Sequence, residues 1–392
     1  MKKIEINALS KRYNVLLESG ILSKAGALIC DALNRDSGQG LKICVVTDAN
    51  VNALYAGEDQ ALFTSLKDAG FSVFKYVFPG GEDHKNLATI EGILDYLTEN
   101  HFNRGDILLA FGGGITGDIT GFAASIYMRG IKYIQIPTTL LSSVDSSVGG
   151  KTGVNLKAGK NLTGAFWQPE VVLFDPDVLK TLGYEQLLDG MGEIIKAGMI
   201  TDKSLVQFIL SAGSARNGES FADYMKDAAP CDASAGGKDK VPAIFGNDEA
   251  LLEAIARSVD IKREIVEDDE RETGRRKLLN FGHTIAHAIE KCSSYGISHG
   301  NAVAIGMCIV SKAADALGWT DEPSADMMQQ ITDYFQYPKN IPYTAAQLTA
   351  AALNDKKAGS NSVPIIYAQR PGFCTERKVM FEDLENFISL GL

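Results

Sequence analysis

The sequence predicts an α/β N-terminal domain with a mostly parallel sheet, followed by a mainly α-helical C-terminal domain. Three observations predict it. Strand-like and helix-like segments alternate through the first half, the pattern of a parallel sheet covered by helices. A glycine-rich turn stands where an apolar strand hands over to a helix-like segment, which makes the sheet Rossmann-like. Near residue 176 the texture turns helical and strand runs nearly vanish, so the domains are placed at 1–176 and 177–392.

Bulk properties narrow the function classes. The chain has 392 residues, 45% hydrophobic and 22% charged, enough for two domains and a large core. A net charge of −11 argues against a general binder of nucleic acid or anionic membranes, so any local basic cluster becomes informative. The first residues lack the apolar core of a signal peptide, and no run is apolar enough to span a bilayer. The cysteines are scattered without paired metal-type spacing, as in a reducing compartment. The expected location is cytoplasmic.

Residues 42–48 form a short β-branched run ending in Asp48, and 71–78 form a second strand closed by Pro79 and two glycines. Residues 86–99 carry Ile90, Ile93, Leu94 and Leu97 at helical spacing. A strand at 106–111 meets Gly112, Gly114 and Gly117 at once. Such glycines let backbone N–H groups approach a pyrophosphate at a helix N-terminus, although a plain glycine turn satisfies the same pattern. No acid follows about twenty residues on to hold a ribose; Asp48, before the loop, is the nearest strand-ending acid. The strand 133–141 runs into 142–153, which is dense in hydroxyls and glycine and carries Asp145 and Lys151. That segment is expected to be a loop around a ligand or a local turn, not a packed helix. Lys160 and Asn161 follow.

In the second half, Glu193 and Lys196 share one helical face, in isolation the mark of a surface i,i+3 ion pair. Residues 211–248 read as a flexible polar excursion. An amphipathic helix at 249–270 bears Lys262, and Arg271, Arg275, Arg276 and Lys277 form either a solvated basic face or an anion pocket. Residues 279–290 have the composition of a helix and put His283 and His287 on one face beside Asn280. With His299, three of the five histidines fall within seventeen residues. Neutral imidazole is the commonest ligand for zinc-like ions; one buried and two surface histidines are the alternative. Lys356 and Lys357 precede a loop and the strand-like stretch from Val363.

The stretches GGGITGD, YMRG, IPTTLLSSVDSSVGGKTGVN, GKNLTGAFWQP, GEIIKAG, LNFGHTIAHAIE and SHGNAVAIGM, in this order, cover most of residues 42–310. In them the chain resembles the 3-dehydroquinate synthase family of the sugar-phosphate cyclase superfamily. The resemblance implies NAD in the α/β domain and a divalent metal in the helical one, zinc expected and cobalt the alternative. It assigns the metal to Glu193, His283 and His299, and sets His287 beside it against substrate. Asp145, Lys151, Asn161, Lys196, Lys262, Arg276, Asn280 and one or both of Lys356 and Lys357 match substrate positions, and Arg129 matches one that reaches a neighbouring subunit's site. Asp48, Asn50, Glu82, Lys85, Gly114, Ile115, Asp118, Thr138, Thr139, Lys160 and Thr181 match nicotinamide-cofactor positions.

The implied reaction converts 3-deoxy-D-arabino-heptulosonate 7-phosphate to 3-dehydroquinate and phosphate, in the shikimate pathway of aromatic amino acid biosynthesis. Its stages are transient oxidation by NAD, phosphate elimination, reduction, ring opening and intramolecular aldol closure. Lys262 and Arg276 suit the substrate carboxylate; Lys151, Asn161, Asn280 and a C-terminal lysine suit the phosphate. The expected partners are this keto-acid sugar phosphate and a second copy of the chain, with neither nucleic acid nor membrane. Rival readings are another sugar-phosphate cyclase, a related metal-dependent polyol dehydrogenase, and a nucleotide-binding regulatory protein with a dead site. One departure from the family pattern is Asn301, where the family commonly carries Glu.

Overall fold

The computed structural model describes residues 1–211, 242–338, 341–353 and 361–392. They form two compact units, Met1–Gly183 with Lys262–Arg271, and Tyr184–Ile261 with Glu272–Leu392. The polar excursion falls largely on 212–241, outside the described residues, as do Lys356 and Lys357.

The first unit carries strands β1 Lys2–Asn7, β2 Arg12–Leu17, β3 Lys42–Asp48, β4 Ser72–Phe78, β5 Ile107–Gly112, β6 Lys132–Pro137, β7 Lys151–Leu156, β8 Gly159–Phe166 and β9 Val171–Phe174. Its helices are α1 Ala25–Ala32, α2 Ala49–Tyr55, α3 Ala61–Asp68, α4 Leu87–Glu99 and α5 Gly114–Ile126. Seven strands make one sheet in the order β1-β2-β9-β6-β5-β3-β4, and β7 pairs with β8 in a separate antiparallel hairpin. Within the large sheet only the β1–β2 ladder is antiparallel.

Every residue of β5 is buried, and β6 and the centre of β3 nearly so, as a parallel strand covered on both faces requires. Alternate side chains feed two cores. Ile43, Val45, Leu109 and Phe111 meet Ile29 of α1 and Leu66 of α3 on one face; Cys44, Val46, Leu108 and Ala110 meet Ile93 of α4 and Ile119 of α5 on the other. After β3 the chain builds β4 on one side and then returns to place β5 on the other. That reversal leaves a crevice beyond the carboxyl ends of β3 and β5, where doubly wound sheets bind ligands.

The expected loop at 142–153 is corrected at both ends. Ser142–Ser146 is a π-helical turn with Ser142 and Ser143 buried, and β7 begins at Lys151. The hydroxyls of Ser142 and Ser143 donate to the Thr139 carbonyl at 2.9 and 2.7 Å, so they are satisfied inside a helical turn.

The second unit is helical: α6 Tyr184–Thr201, α7 Lys203–Ser211, α8 Asp248–Asp268 (whose last turns belong to the first unit), α9 His283–Cys292, α10 His299–Ala316, α11 Ala325–Phe335, α12 Ala345–Leu353 and α13 Leu384–Gly391. One hairpin, β10 Ser362–Arg370 with β11 Phe373–Met380, completes it. Helix α10 is its axis, buried from Gly300 to Met307 and packed on α6, α9, α11 and α13. The predicted helix at 279–290 starts late: Arg275–Asn280 is a 3-10 turn, Gly282 has φ +77°, and α9 opens at His283. Among the described residues, no helix is long and apolar enough to cross a membrane.

Candidate active site

Close glycine contacts bring the second unit's polar side chains together. A Cβ on Gly300 would lie 1.8 Å from the Asp189 carbonyl oxygen, and one on Gly192 would lie 2.6 Å from that of Gly300. Backbones of α6 and α10 therefore touch, which sets Glu193 beside His299. The Gly300 N–H also donates to Asp189 Oδ1 at 2.5 Å, satisfying a first-turn donor of α10. A Cβ on Gly306 would lie 2.3 Å from the Gly282 carbonyl oxygen, so the start of α9 presses on α10 and delivers His283.

Glu193 Oε1 lies 3.7 Å from Nε2 of His283 and 3.7 Å from Nε2 of His299. One donor atom from each residue falls within 4.8 Å of the others. Oε1 is buried and has no hydrogen-bond partner among the described residues, while Oε2 is ion-paired with Lys196. Both partners of that pair are only 3% exposed, so the surface pair read from spacing is corrected to a buried one. Burial pushes the His283 imidazole well below its usual pKa, with the charge of Lys196 and then His299 and His287 adding to it. Its Nδ1 lies 3.1 Å from the Phe281 carbonyl, which leaves Nε2 toward Glu193. An orphan carboxylate oxygen facing two ring nitrogens is costly alone and suits a divalent cation, which takes this N,N,O donor set and keeps open positions.

His287, one turn on, is exposed and outside this trio; its ring centre is 5.6 Å from that of His283 and 6.2 Å from that of His299. A concavity of about 260 Å³ is lined by Lys277, Asn280, His283, Thr284, His287 and Glu376, among others. Asn280 donates to Glu272 at 2.9 Å, and Arg276 is 2% exposed.

In the first unit, Asp48 ends β3 and caps α2, accepting from Asn50 N at 2.9 Å and Val51 N at 3.1 Å. Across the crevice, α5 opens at Gly114 without a side-chain cap, leaving first-turn N–H groups for an anion. Gly80 and Gly113 allow close approach: a Cβ there would lie 3.1 Å from Asp48 Cβ and 3.2 Å from Thr139 Cγ2, respectively. The Thr138 N–H donates to the Gly112 carbonyl at 3.0 Å, and Ile115 is half-buried in the first turn of α5. These residues fit a dinucleotide phosphate. Thr181 ends a 3-10 turn, 2.8 Å from the Tyr55 hydroxyl at the end of α2.

A polar cluster follows on the same unit. Lys85 reaches Asp118 at 2.5 Å and Asn161 Oδ1 at 2.7 Å; Glu82 accepts from Asn155 at 2.7 Å and has Lys160 at 3.6 Å. Burial raises the Asp118 pKa, with Lys85 opposing it. Lys262 is ion-paired with the Asp145 carboxylate and donates to the Asp145 carbonyl at 2.6 Å. Lys151 is exposed at the start of β7, and Arg129 is exposed with φ +69°. Sequence reasoning missed Asp189, Glu272 and Glu290. Only Glu290 had a readable signal: it stands three residues after His287 and seven after His283, on one stripe of α9.

On geometry, the two units define a class, that of enzymes coupling a nucleotide-type α/β sheet to a helical metal cage. The family model for the 3-dehydroquinate synthase N-terminal region matches residues 75–189, and that for the C-terminal region matches 190–358. A 3-dehydroquinate synthase of Clostridium kluyveri is 38% identical over 390 residues, covering 99% of this chain and 98% of its own. Among solved structures, 2-epi-5-epi-valiolone synthase from Streptomyces hygroscopicus with NAD+ and Zn2+ bound has a TM-score of 0.78 at 25% identity, covering 98% of each chain. A 2-deoxy-scyllo-inosose synthase complexed with carbaglucose-6-phosphate, NAD+ and Co2+ shares the fold, with a TM-score of 0.81 at 22% identity and full coverage of both chains. The chain belongs to the 3-dehydroquinate synthase family.

Proposed function

We propose that the chain converts 3-deoxy-D-arabino-heptulosonate 7-phosphate to 3-dehydroquinate and phosphate, with NAD and a divalent metal bound. The observation that carries this is the orphan Oε1 of Glu193 between two imidazoles, in a chain alignable end to end with 3-dehydroquinate synthases. When bound, NAD supplies a transient hydride acceptor and the metal polarises a substrate hydroxyl. Glu193, His283 and His299 would hold the metal, and the donor set favours zinc, with cobalt as the alternative.

The chain's own residues bind and orient. Lys196 pairs with one oxygen of Glu193, so that buried carboxylate oxygen is matched by a positive charge. Arg276 offers a preorganised guanidinium fork for a carboxylate, and Lys262, steered by Asp145, offers a fixed point charge. Asn280, steered by Glu272, and Lys151 present donors suited to phosphate oxygens. His287 stands in the solvent-facing turn of α9, where it can hold or pass a proton at a substrate oxygen. Asp48, Gly114 and Thr139 would take the nucleotide, with the uncapped start of α5 on its pyrophosphate. A cytoplasmic homodimer belongs to the same proposal, with Arg129 of one copy serving the next.

The test is phosphate release from the keto-acid substrate, with and without a chelator. Release should need metal and leave no net NADH. Release from sedoheptulose 7-phosphate alone would indicate a different cyclase, and net NADH from a polyol a dehydrogenase. Sedimentation of the purified protein decides the dimer.

A further inference from the structure

Resting on the metal reading above, we infer that Glu290 is a positioning residue: its carboxylate accepts a hydrogen bond from the Nδ1–H of His299 and so aims Nε2 of that ring at the ion. His299 shows its Nε2 to Glu193 at 3.7 Å and its Nδ1 to Glu290 Oε1 at 3.5 Å. One ring is thus spanned by two carboxylates with separate roles. The other imidazole of the trio is built alike, since His283 has Nδ1 on the Phe281 carbonyl and Nε2 toward Glu193. An imidazole that ligates through one nitrogen donates through the other, and that outer acceptor fixes tautomer and ring plane. His283 finds its acceptor in the backbone just before α9; His299 opens α10 and takes a side chain from α9 instead.

Glu290 is suited to this. It is 8% exposed, in a helix whose buried face packs on α10. Asn301, the nearby amide on α10, is directed elsewhere, donating to Ser298 Oγ at 2.8 Å and Glu185 at 3.4 Å. The Nδ1–Oε1 distance is a few tenths of an ångström beyond an ideal hydrogen bond, and ligation would tighten it by fixing the ring. His287, Glu290 and His299 also offer donor atoms within 4.8 Å of one another. A second ion there would engage Glu290 and His299 themselves, so the two arrangements predict different stoichiometry.

The test measures zinc affinity of the full chain by competition with a chromophoric chelator, for wild type, Glu193→Gln, Glu290→Gln and Glu290→Ala. Glu290→Ala should weaken zinc by about 10–100-fold, and Glu290→Gln, which keeps an acceptor oxygen, should weaken it less. The thermal midpoint of the metal-free protein should stay near wild type in both, and the visible spectrum of the cobalt-loaded Glu290→Ala protein should shift as the ring turns. Unchanged zinc affinity in Glu290→Ala overturns the inference, as does a metal-free midpoint that falls in step with affinity. So do two ions per wild-type chain reduced to one in Glu290→Ala. Tight zinc in Glu193→Gln would instead overturn the metal reading beneath it.

Discussion

Under the proposed function, the i,i+4 pair of histidines on α9 would divide into two jobs that spacing does not separate. His283 is in the trio with Glu193 and His299; His287 is exposed outside it. His283→Ala should therefore lose retained metal and turnover together. His287→Ala should retain metal, by elemental analysis after dialysis, and lose about 10²-fold or more in kcat. Equal metal loss in both would overturn the division of roles. Lys196 gives a second residue-scale prediction. Replacing it with Met strands a buried carboxylate, which costs about 3–5 kcal/mol in the metal-free protein. Added zinc supplies the missing positive charge, so the gap to wild type should narrow in denaturant titrations with metal; the same gap with and without metal would reduce Lys196 to packing. Much of the trio was legible: clustered histidines announce themselves in a chain with five of them. The burial of the Glu193–Lys196 pair was not, because i,i+3 spacing tells which residues share a face and not where that face points.

At the scale of elements, the parallel strands were legible because burial on both faces writes long apolar runs into β3 and β5. The start of α9 was not, because Leu279 and Phe281 continue an apolar helical pattern through a turn that Gly282 ends with φ +77°. Hydroxyl-rich Ser142–Ser146 misled for the opposite reason, since side chains that favour loops here bond back within the turn. The contacts that build the cage follow from glycine. Gly300→Ala places a methyl against the α6 backbone with no flexible side chain to yield, so α6 and α10 must part. The expected cost is about 1–3 kcal/mol, read as a lower denaturant midpoint. Zinc affinity should fall with it, because Glu193 and His299 ride on the two helices that separate. A Gly300→Ala protein of lowered stability that binds zinc as tightly as wild type would break the link between this packing and the cage.

Over the whole molecule, the first unit is closed by a segment that returns from far along the chain. Lys262–Arg271 belongs with Met1–Gly183 although α8 begins outside it, and no local periodicity signals such a return. Glu270 fastens it. Its carboxylate accepts from the Ser10 N–H at 2.9 Å and from Gln168 Nε2 at 2.8 Å, and is also bonded to the Ser10 hydroxyl. Burial alone would raise its pKa, but the bonds from Ser10 and Gln168 outweigh that and hold it below the ordinary value of 4.5. Because the folded pKa is depressed, the unfolded chain binds the proton first. The resulting stability is present above about 4.5 and is lost as pH falls through the folded-state value. Glu270→Gln keeps the shape and removes the charge, so it should cost about 1–3 kcal/mol at pH 7. The difference between wild type and variant should shrink toward zero as the pH is lowered past 4.5 into the range where Glu270 protonates, because other carboxylates titrate alike in both proteins. Urea titrations of the pair from pH 7 to about pH 3 check this. A gap that stays constant over that range would mean that Glu270 holds the returning segment by shape and not by charge.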